Sequence, residues 1–192
     1  MNGAGAESKA RRQPITQQRK DFTVPASKPS SSLPPGTDPE NALVIETNRG
    51  NVVVALRTDV APAHAERLKL LARERFYDDV PFHRVIDGFM AQTGDGQHGN
   101  GTGGSKHPSL KAEFSDVPYR RGTVGMARTS NPHSANSQFF IMFDEGSFLN
   151  GQYTVVGEVV QGMDVVDKLK RGEPPSDPDR MVRVQVAADG DE

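Results

Sequence analysis

Cysteine is absent from this sequence, and its absence excludes several kinds of chemistry. Disulfides, thiolate metal sites and a cysteine nucleophile all require that side chain. Long apolar runs are absent too: no stretch approaches the roughly 18 apolar residues that span a bilayer, so no membrane contact is expected. The N-terminus lacks the apolar core of a signal peptide, which favours a cytoplasmic location. A periplasmic location is the alternative if a signal peptide has been removed.

Large apolar side chains are scarce in the first 40 residues. Hydrophobic residues make up 34% of the 192, and residues 1–40 are instead rich in Ser, Pro, Gly and Gln. Such a segment cannot bury enough surface to offset the entropy lost on ordering, which predicts a disordered tail. Its six basic and four acidic residues make it mildly basic. A solvated leader is favoured over a nucleic-acid arm, because the basic residues are scattered.

Residues 41–188 are expected to form one folded domain, followed by a short acidic end at residues 189–192. Helices are predicted at 62–76 and 163–169. Many short strands separated by turns, with only two helices, indicate a closed or nearly closed antiparallel barrel. Strands are predicted over 42–47, 52–57, 122–127, 137–143, 153–160 and 182–186, with two more flanking a turn at Asp87-Gly88.

The strands around that turn carry polar residues among large apolar ones. Strand side chains alternate between faces, so Arg84 shares a face with Phe82 and Ile86. On the second strand, Met90 and Gln92 share a face. An arginine and a glutamine in such surroundings are unsuited to a core. They suit an apolar pocket in which a few polar groups orient a ligand.

A second run, Ser137–Phe143, repeats this pattern. Alternation places Phe139, Ile141 and Phe143 on one face, which is predicted to be core. The other face carries Gln138, Phe140 and Met142, and it could line the same pocket as Met90 and Gln92. The alternative is a barrel surface with exposed glutamines, but two such runs together with Arg84 favour the pocket. An apolar loop at 148–153 is a third candidate binding segment.

Other functional motifs find little support. The loop Gly99–Gly104 contains G-x-G-x-x-G, but Ser105-Lys106 reverses the order of a phosphate loop and Pro108 opposes a following helix. A flexible surface loop is predicted instead. The five histidines show no metal-site spacing, and His83 is predicted to be a hydrogen-bonded structural residue. There is no G-x-S-x-G motif.

Taken together, the motifs resemble those of the cyclophilins, which are peptidyl-prolyl cis-trans isomerases. The resemblance extends from about Ala42 to Val186, and the run Gly125–Thr129 resembles bacterial members of the family. It is carried, in the family's order and spacing, by Phe82–Ile86, Phe89–Asp95, Gly101–Gly104, Met126-Ala127, Ser137–Ile141 and Phe148–Gly151.

The resemblance implies a mostly β fold: a closed eight-stranded antiparallel β-barrel capped by two α-helices. It implies that Arg84 is catalytic and that the other site residues bind substrate. Phe148 and Tyr153 stand where the family has a tryptophan and often a histidine, and Arg128 replaces an asparagine found in many eukaryotic relatives. The substrate-binding set is Phe89, Met90, Gln92, Ala127, Arg128, Gln138, Phe140, Phe148, Leu149 and Tyr153.

The implied activity is rotation about Xaa-Pro peptide bonds, which assists protein folding and requires no cofactor or metal. The implied partners are proline-containing peptides and unfolded or folding proteins, and a monomer is expected. Because Phe148 lacks an indole N–H, weakened cyclosporin binding is predicted. A non-catalytic proline-peptide binding or chaperone-like module on the same fold is the alternative.

Overall fold

The computed structural model describes residues 33–191 of the chain. The strands are β1 Ala42–Thr47, β2 Gly50–Leu56, β3 Val80–Pro81, β4 Arg84–Ile86, β5 Met90–Thr93, β6 Thr123–Met126, β7 Phe139–Met142, β8 Val155–Gln161 and β9 Arg180–Val186. The α-helices are α1 Pro62–Arg73 and α2 Met163–Asp167, and short 3-10 helices occupy Pro39–Asn41, Ser147–Leu149 and Ala187–Asp191.

Most of the predicted disordered tail, residues 1–32, lies outside the described residues. Its last part, residues 33–40, is described and forms a turn followed by the start of a 3-10 helix. Leu33 packs against the buried side chains of Ala42, Val44 and Val53 on β1 and β2. The fold therefore begins several residues earlier than residue 41.

All nine strands form one antiparallel sheet in the order β3-β9-β1-β2-β8-β6-β7-β5-β4. The sheet curls into a half-barrel, and its two edge strands, β3 and β4, are separated along the chain only by Phe82 and His83. Within the described residues, β3 and β4 do not pair with each other. The predicted closed eight-stranded barrel is therefore not confirmed.

The edges of the sheet explain this difference. Strand β3 has two residues and pairs only with β9, and its Pro81 has no N–H to donate to a ladder. The outer edge of β4 is covered by Gly172, which follows α2. Val85 and Gly172 exchange two backbone hydrogen bonds of 2.8 Å each.

Strand β7 separates two apolar layers. Phe139 and Ile141 point into the main core, and Phe143 belongs to the same cluster. Phe140 and Met142 point the other way, into a second cluster that includes Met90. This alternation confirms the prediction made from Ser137–Phe143. Burying each large apolar side chain contributes about 1.5–3 kcal/mol, so both layers stabilise β7.

The two helices cover the main core. Helix α1 begins at Pro62, where a missing N–H costs nothing, and buries Leu68 and Leu71 in the main cluster. It ends at Arg73 rather than at the predicted Phe76, because Arg75 adopts a positive φ of 58°. Helix α2 buries Val165 and Val166 and ends at Asp167.

Candidate active site

The register of the sheet brings predicted site residues of three strands into one row. Arg84 on β4 pairs with Gln92 on β5, and Gln92 pairs with Phe140 on β7. Residues paired across strands project from the same face, so these three side chains are neighbours. Phe140 in turn pairs with Gly125 on β6. A Cβ at Gly125 would lie 2.6 Å from Cζ of Phe140, so glycine is needed there for the ring to fit.

A pocket of about 160 Å³ opens over this row. Its floor is apolar, since Met90, Phe140 and Leu149 are all buried. Every residue predicted for the site lines the pocket except Gln138 and Phe148. The lining residues are Arg84, Phe89, Met90, Gln92, Ala127, Arg128, Phe140, Leu149 and Tyr153.

Phe148 lies at the rim of the pocket. Its side chain is 63% exposed, and its ring centre is 5.5 Å from that of Phe89. The short 3-10 helix at Ser147–Leu149 explains the opposite environments of neighbouring residues, since it buries Leu149 and leaves Phe148 in solvent. Phe148 is therefore available to a ligand that extends beyond the pocket.

Two tyrosines hold the ring of Phe140. The Tyr119 ring stacks on it with centres 5.8 Å apart, and the Tyr153 ring meets it edge-on at 6.0 Å. The Tyr119 hydroxyl donates to the backbone oxygen of Tyr153 at 2.9 Å, and burial raises the pKa of Tyr119, which keeps this donor protonated. Sequence analysis missed Tyr119, because it lies in an irregular segment without periodicity.

Arg128 forms one wall of the pocket, and each of its three side-chain nitrogens donates a hydrogen bond to the backbone. Its guanidinium carbon lies 4.3 Å from the centre of the Tyr153 ring. Nη2 and Nε donate to the backbone oxygen of Gln152 at 2.7 and 3.2 Å, and Nη1 donates to that of Thr129 at 2.9 Å. Arg128 thus shapes the wall and supports Tyr153 through a cation–π contact.

Gln138 lies behind Gln92 rather than in the pocket wall. Its Nε2 donates to the backbone oxygens of Gly101 and Gly103 at 2.9 and 2.8 Å. Its Oε1 accepts a hydrogen bond from Nε2 of Gln92 at 3.0 Å. Because an amide has distinct donor and acceptor ends, Gln138 fixes the orientation of Gln92 and leaves the Gln92 Oε1 as an acceptor at the pocket.

The glycine-rich loop that receives Gln138 is built around Asp95. This carboxylate is 1% exposed, and each of its oxygens accepts backbone N–H groups of the loop. Burial would raise the pKa of Asp95, but these hydrogen bonds hold it at about 2, below its ordinary value. The donors are Gln97 and His98 to Oδ1, and Asn100, Gly101 and Gly103 to Oδ2, at 2.8–3.2 Å.

The loop at 99–104 lies at the surface, as predicted, and a buried carboxylate holds its backbone. The Asp95 carboxylate anchors the loop, and a Cβ at Gly103 would lie only 2.2 Å from Oδ1 of Asp95. This glycine allows a close approach between backbone and carboxylate. Asp95 was part of the resemblance, but nothing in the sequence indicated that five backbone N–H groups of the loop would donate to its carboxylate.

His83 also differs from its prediction. It is buried, and its Nδ1 has no hydrogen-bond partner among the described residues. Burial lowers the pKa of His83, which favours the neutral ring. The predicted hydrogen-bonded histidine is thus a packed one, held against the backbone of Gly101, where a Cβ would lie 2.9 Å from Nε2.

Glu173 is a further residue that sequence analysis missed. Its Oε1 accepts a hydrogen bond of 2.9 Å from Nε of Arg84, and both side chains are about half exposed.

Over residues 33–191, no group of three or more His, Cys, Asp or Glu side chains could hold a metal ion. Across the same range, no helix is long and apolar enough to cross a membrane.

Comparisons with known proteins agree with this fold and site. Residues 42–186 match the family described as cyclophilin type peptidyl-prolyl cis-trans isomerase/CLD. The chain is 54% identical over 167 residues to a protein of Brucella suis named "Probable peptidyl-prolyl cis-trans isomerase", covering 79% of this chain and 85% of that one. It is 41% identical over 136 residues to peptidyl-prolyl cis-trans isomerase B of Escherichia coli, covering 67% and 83%.

Solved structures show the same likeness. Cyclophilin AquaCyp293 from Hirschia baltica superposes with a TM-score of 0.74 at 30% identity, covering 80% of this chain and 76% of that one. A Cryptosporidium parvum cyclophilin, crystallised in the presence of the dipeptide Ala-Pro, gives 0.70 at 26% identity, covering 76% and 98%. The fold and site thus define an isomerase with a pocket on its sheet. The chain belongs to the cyclophilin-type peptidyl-prolyl cis-trans isomerases.

Proposed function

We propose that the pocket binds the proline ring of proline-containing peptides and folding proteins, and that Arg84 is the catalytic residue for rotation about the Xaa-Pro bond. The observation that carries the proposal is the position of Arg84 beside a floor of buried apolar side chains. The presence of Ala-Pro in the crystals of the Cryptosporidium parvum relative supports the same ligand class for this chain.

The reaction is a rotation about the C–N bond in which no covalent bond is made or broken, so the site needs only to stabilise the twisted amide. Partial double-bond character of the C–N bond gives a barrier near 20 kcal/mol. Uncatalysed exchange takes roughly 10–100 s. A turnover of about 10 per second would lower the barrier by roughly 4 kcal/mol. The site must therefore bind the twisted amide more tightly than either planar form.

The apolar floor supplies one part of this stabilisation. Phe89, Met90, Phe140 and Leu149 would hold the proline ring while the preceding segment rotates. The same residues remove the imide from water, which favours the less polar twisted state. Because Tyr119 and Tyr153 fix the Phe140 ring, the floor is preorganised and needs little rearrangement on binding.

Arg84 would supply the other part. Its Nε is held by Glu173, while neither of its terminal nitrogens donates a hydrogen bond to any residue in the described part of the chain. These nitrogens can donate to the prolyl carbonyl, or to the imide nitrogen as its lone pair localises. A fixed donor beside an apolar floor acts most strongly on the transition state. The Oε1 of Gln92 would accept from the substrate backbone.

Arg84→Ala tests this assignment. Loss of a transition-state donor lowers rates by about 10²–10³-fold, so we expect a drop of that size in kcat/KM for a proline peptide. Circular dichroism and thermal unfolding should match the wild type, because Arg84 is half exposed. Near-normal turnover by the folded variant would refute the catalytic role. A wild-type protein that binds proline peptides without turnover would instead identify a binding module.

A further inference from the structure

Glu173 stands directly across from Arg84 on the outer edge of β4. Val85 and Gly172 exchange two backbone hydrogen bonds in an antiparallel bridge. In such a bridge, the residue before one partner faces the residue after the other. Arg84 therefore faces Glu173 on one side, just as it faces Gln92 within the sheet on the other. The loop after α2 extends the row of site residues by one position.

The contact uses Nε and leaves both terminal nitrogens of Arg84 without a hydrogen-bond partner among residues 33–191. Nε donates to Oε1 of Glu173 at 2.9 Å. A guanidinium group is planar, so holding Nε restricts the directions of both terminal nitrogens. With Gln92 fixed in turn by Gln138, the arginine lies between two oriented acceptor groups. The carboxylate can thus orient Arg84 before any substrate binds.

Stability of the fold does not account for this pair. Both side chains are about half exposed, and ion pairs with such exposure contribute little to folding. A flexible arginine that must adopt one orientation in the transition state gains from being ordered beforehand. An effect on turnover is therefore expected without a matching effect on stability.

We infer that Glu173 is a positioning residue, which holds Nε of Arg84 so that the terminal nitrogens face the proline pocket. This inference rests on the catalytic role proposed for Arg84. Glu173 itself does not line the pocket, so its effect is expected in kcat rather than in KM.

A nearby ion pair provides a matched control. Arg171 donates through its own Nε to Oδ1 of Asp87 at 3.0 Å. Asp87 lies in the turn after β4 and is exposed, and among the described residues Arg84 forms its ion pair with Glu173 rather than with Asp87. Asp87→Asn therefore removes one surface negative charge close to the site while leaving the Arg84 contact in place.

The experiment compares Glu173→Ala, Glu173→Gln and Asp87→Asn for isomerisation of a neutral proline peptide. We expect Glu173→Ala to lower kcat about tenfold with KM within twofold of the wild type. Glu173→Gln retains an oxygen that can accept from Nε and should recover part of the loss. Asp87→Asn should keep wild-type kinetics, and all three variants should unfold at the wild-type temperature.

The Arg84→Ala background separates positioning from other roles. If Glu173 acts through Arg84, adding Glu173→Ala to the Arg84→Ala variant should cause no further loss of kcat. In proteins that retain Arg84, the NMR resonance of its Nε–H should move in Glu173→Ala but not in Asp87→Asn. A kcat within twofold of the wild type in Glu173→Ala, or an equal loss in the Arg84→Ala background, would overturn the inference. Full activity of Arg84→Ala would instead refute the proposed function.

Discussion

The apolar floor of the pocket and its polar side are built in different ways on the same sheet. Phe140 and Met90 reach the floor through alternation along their own strands, and their neighbours in the ladder complete it. The polar side depends on contacts between distant segments. Gln138 is oriented by loop carbonyls 35 and 37 residues away, and Arg84 by a carboxylate 89 residues away.

Because they are built differently, the floor and the polar side should affect different properties of the protein. The floor is packed and buried, so it should affect folding and binding together. The polar side is oriented by hydrogen bonds at or near the surface, so changes there should affect turnover or loop order with less effect on the global fold. Asp95 is the exception on the polar side, because its carboxylate is buried.

The largest effect is expected from a cavity in the floor. Phe140→Ala removes a buried ring that contacts Tyr119 and Tyr153, which should lower the free energy of unfolding by about 3–5 kcal/mol. Peptide binding should be lost as well. Urea unfolding and peptide titration measure the two effects. A stability within about 1 kcal/mol of the wild type would show that the floor is not the rigid part of the site.

A smaller and pH-dependent effect is expected at Asp95. Its pKa of about 2 lies below the unfolded value near 3.9, so its contribution is fully present above about pH 4 and is lost as the pH falls through 2. A shift of this size corresponds to about 2–3 kcal/mol of stability at neutral pH. Asp95→Asn should therefore be destabilised at pH 7 and should show a flatter dependence on pH.

Urea unfolding of both proteins at pH 7, 4 and 2 measures this dependence. The difference between wild type and Asp95→Asn should shrink as the pH approaches 2. A constant difference across this range would mean that backbone hydrogen bonds to the Asp95 carboxylate do not anchor the loop. Loss of the anchor should also release Gln138, so turnover at pH 7 should fall in the variant.

The smallest effect is expected at the exposed rim. Phe148→Trp supplies an indole N–H, and one added hydrogen bond contributes about 0.5–1.5 kcal/mol. We expect cyclosporin affinity to rise about three- to tenfold, with peptide turnover within twofold of the wild type. Phe114→Trp is the matched control, because Phe114 is also exposed, whereas Phe148 packs against the pocket residue Phe89. Equal affinities in both variants would contradict a role for the rim residue.

The sequence predicted the strands well where alternation was strong. Strand β1 has the predicted bounds, and both faces of β7 are confirmed. Strand β3 could not be predicted, because two residues carry no periodicity. The closed barrel was expected from the many short strands and from the resemblance, whereas the ends of the sheet are settled by which segment covers β4. That segment is Gly172, which is not in any predicted strand.

The same contrast holds for the site. Met90 and Gln92 on β5 and Phe140 on β7 do line one pocket, because side-chain direction in a strand follows from local backbone geometry. Gln138, predicted to share their pocket, instead hydrogen-bonds Gln92 from outside the pocket wall. The roles of Tyr119, Asp95 and His83 depend on burial and on the path of irregular segments, which periodicity along the chain does not encode. Their roles appear only when the loop and the sheet are placed together.

By itself, the sequence determined which side chains of each strand would lie on the same face, since a period of two residues needs only neighbouring backbone. It thereby brought Met90 and Gln92 together, and likewise Gln138 and Phe140. Only the tertiary structure decided what stands on the far side of Arg84. The bridge between Val85 and Gly172 places Glu173 there, and that bridge depends on how α2 and its following loop pack against the edge of the sheet.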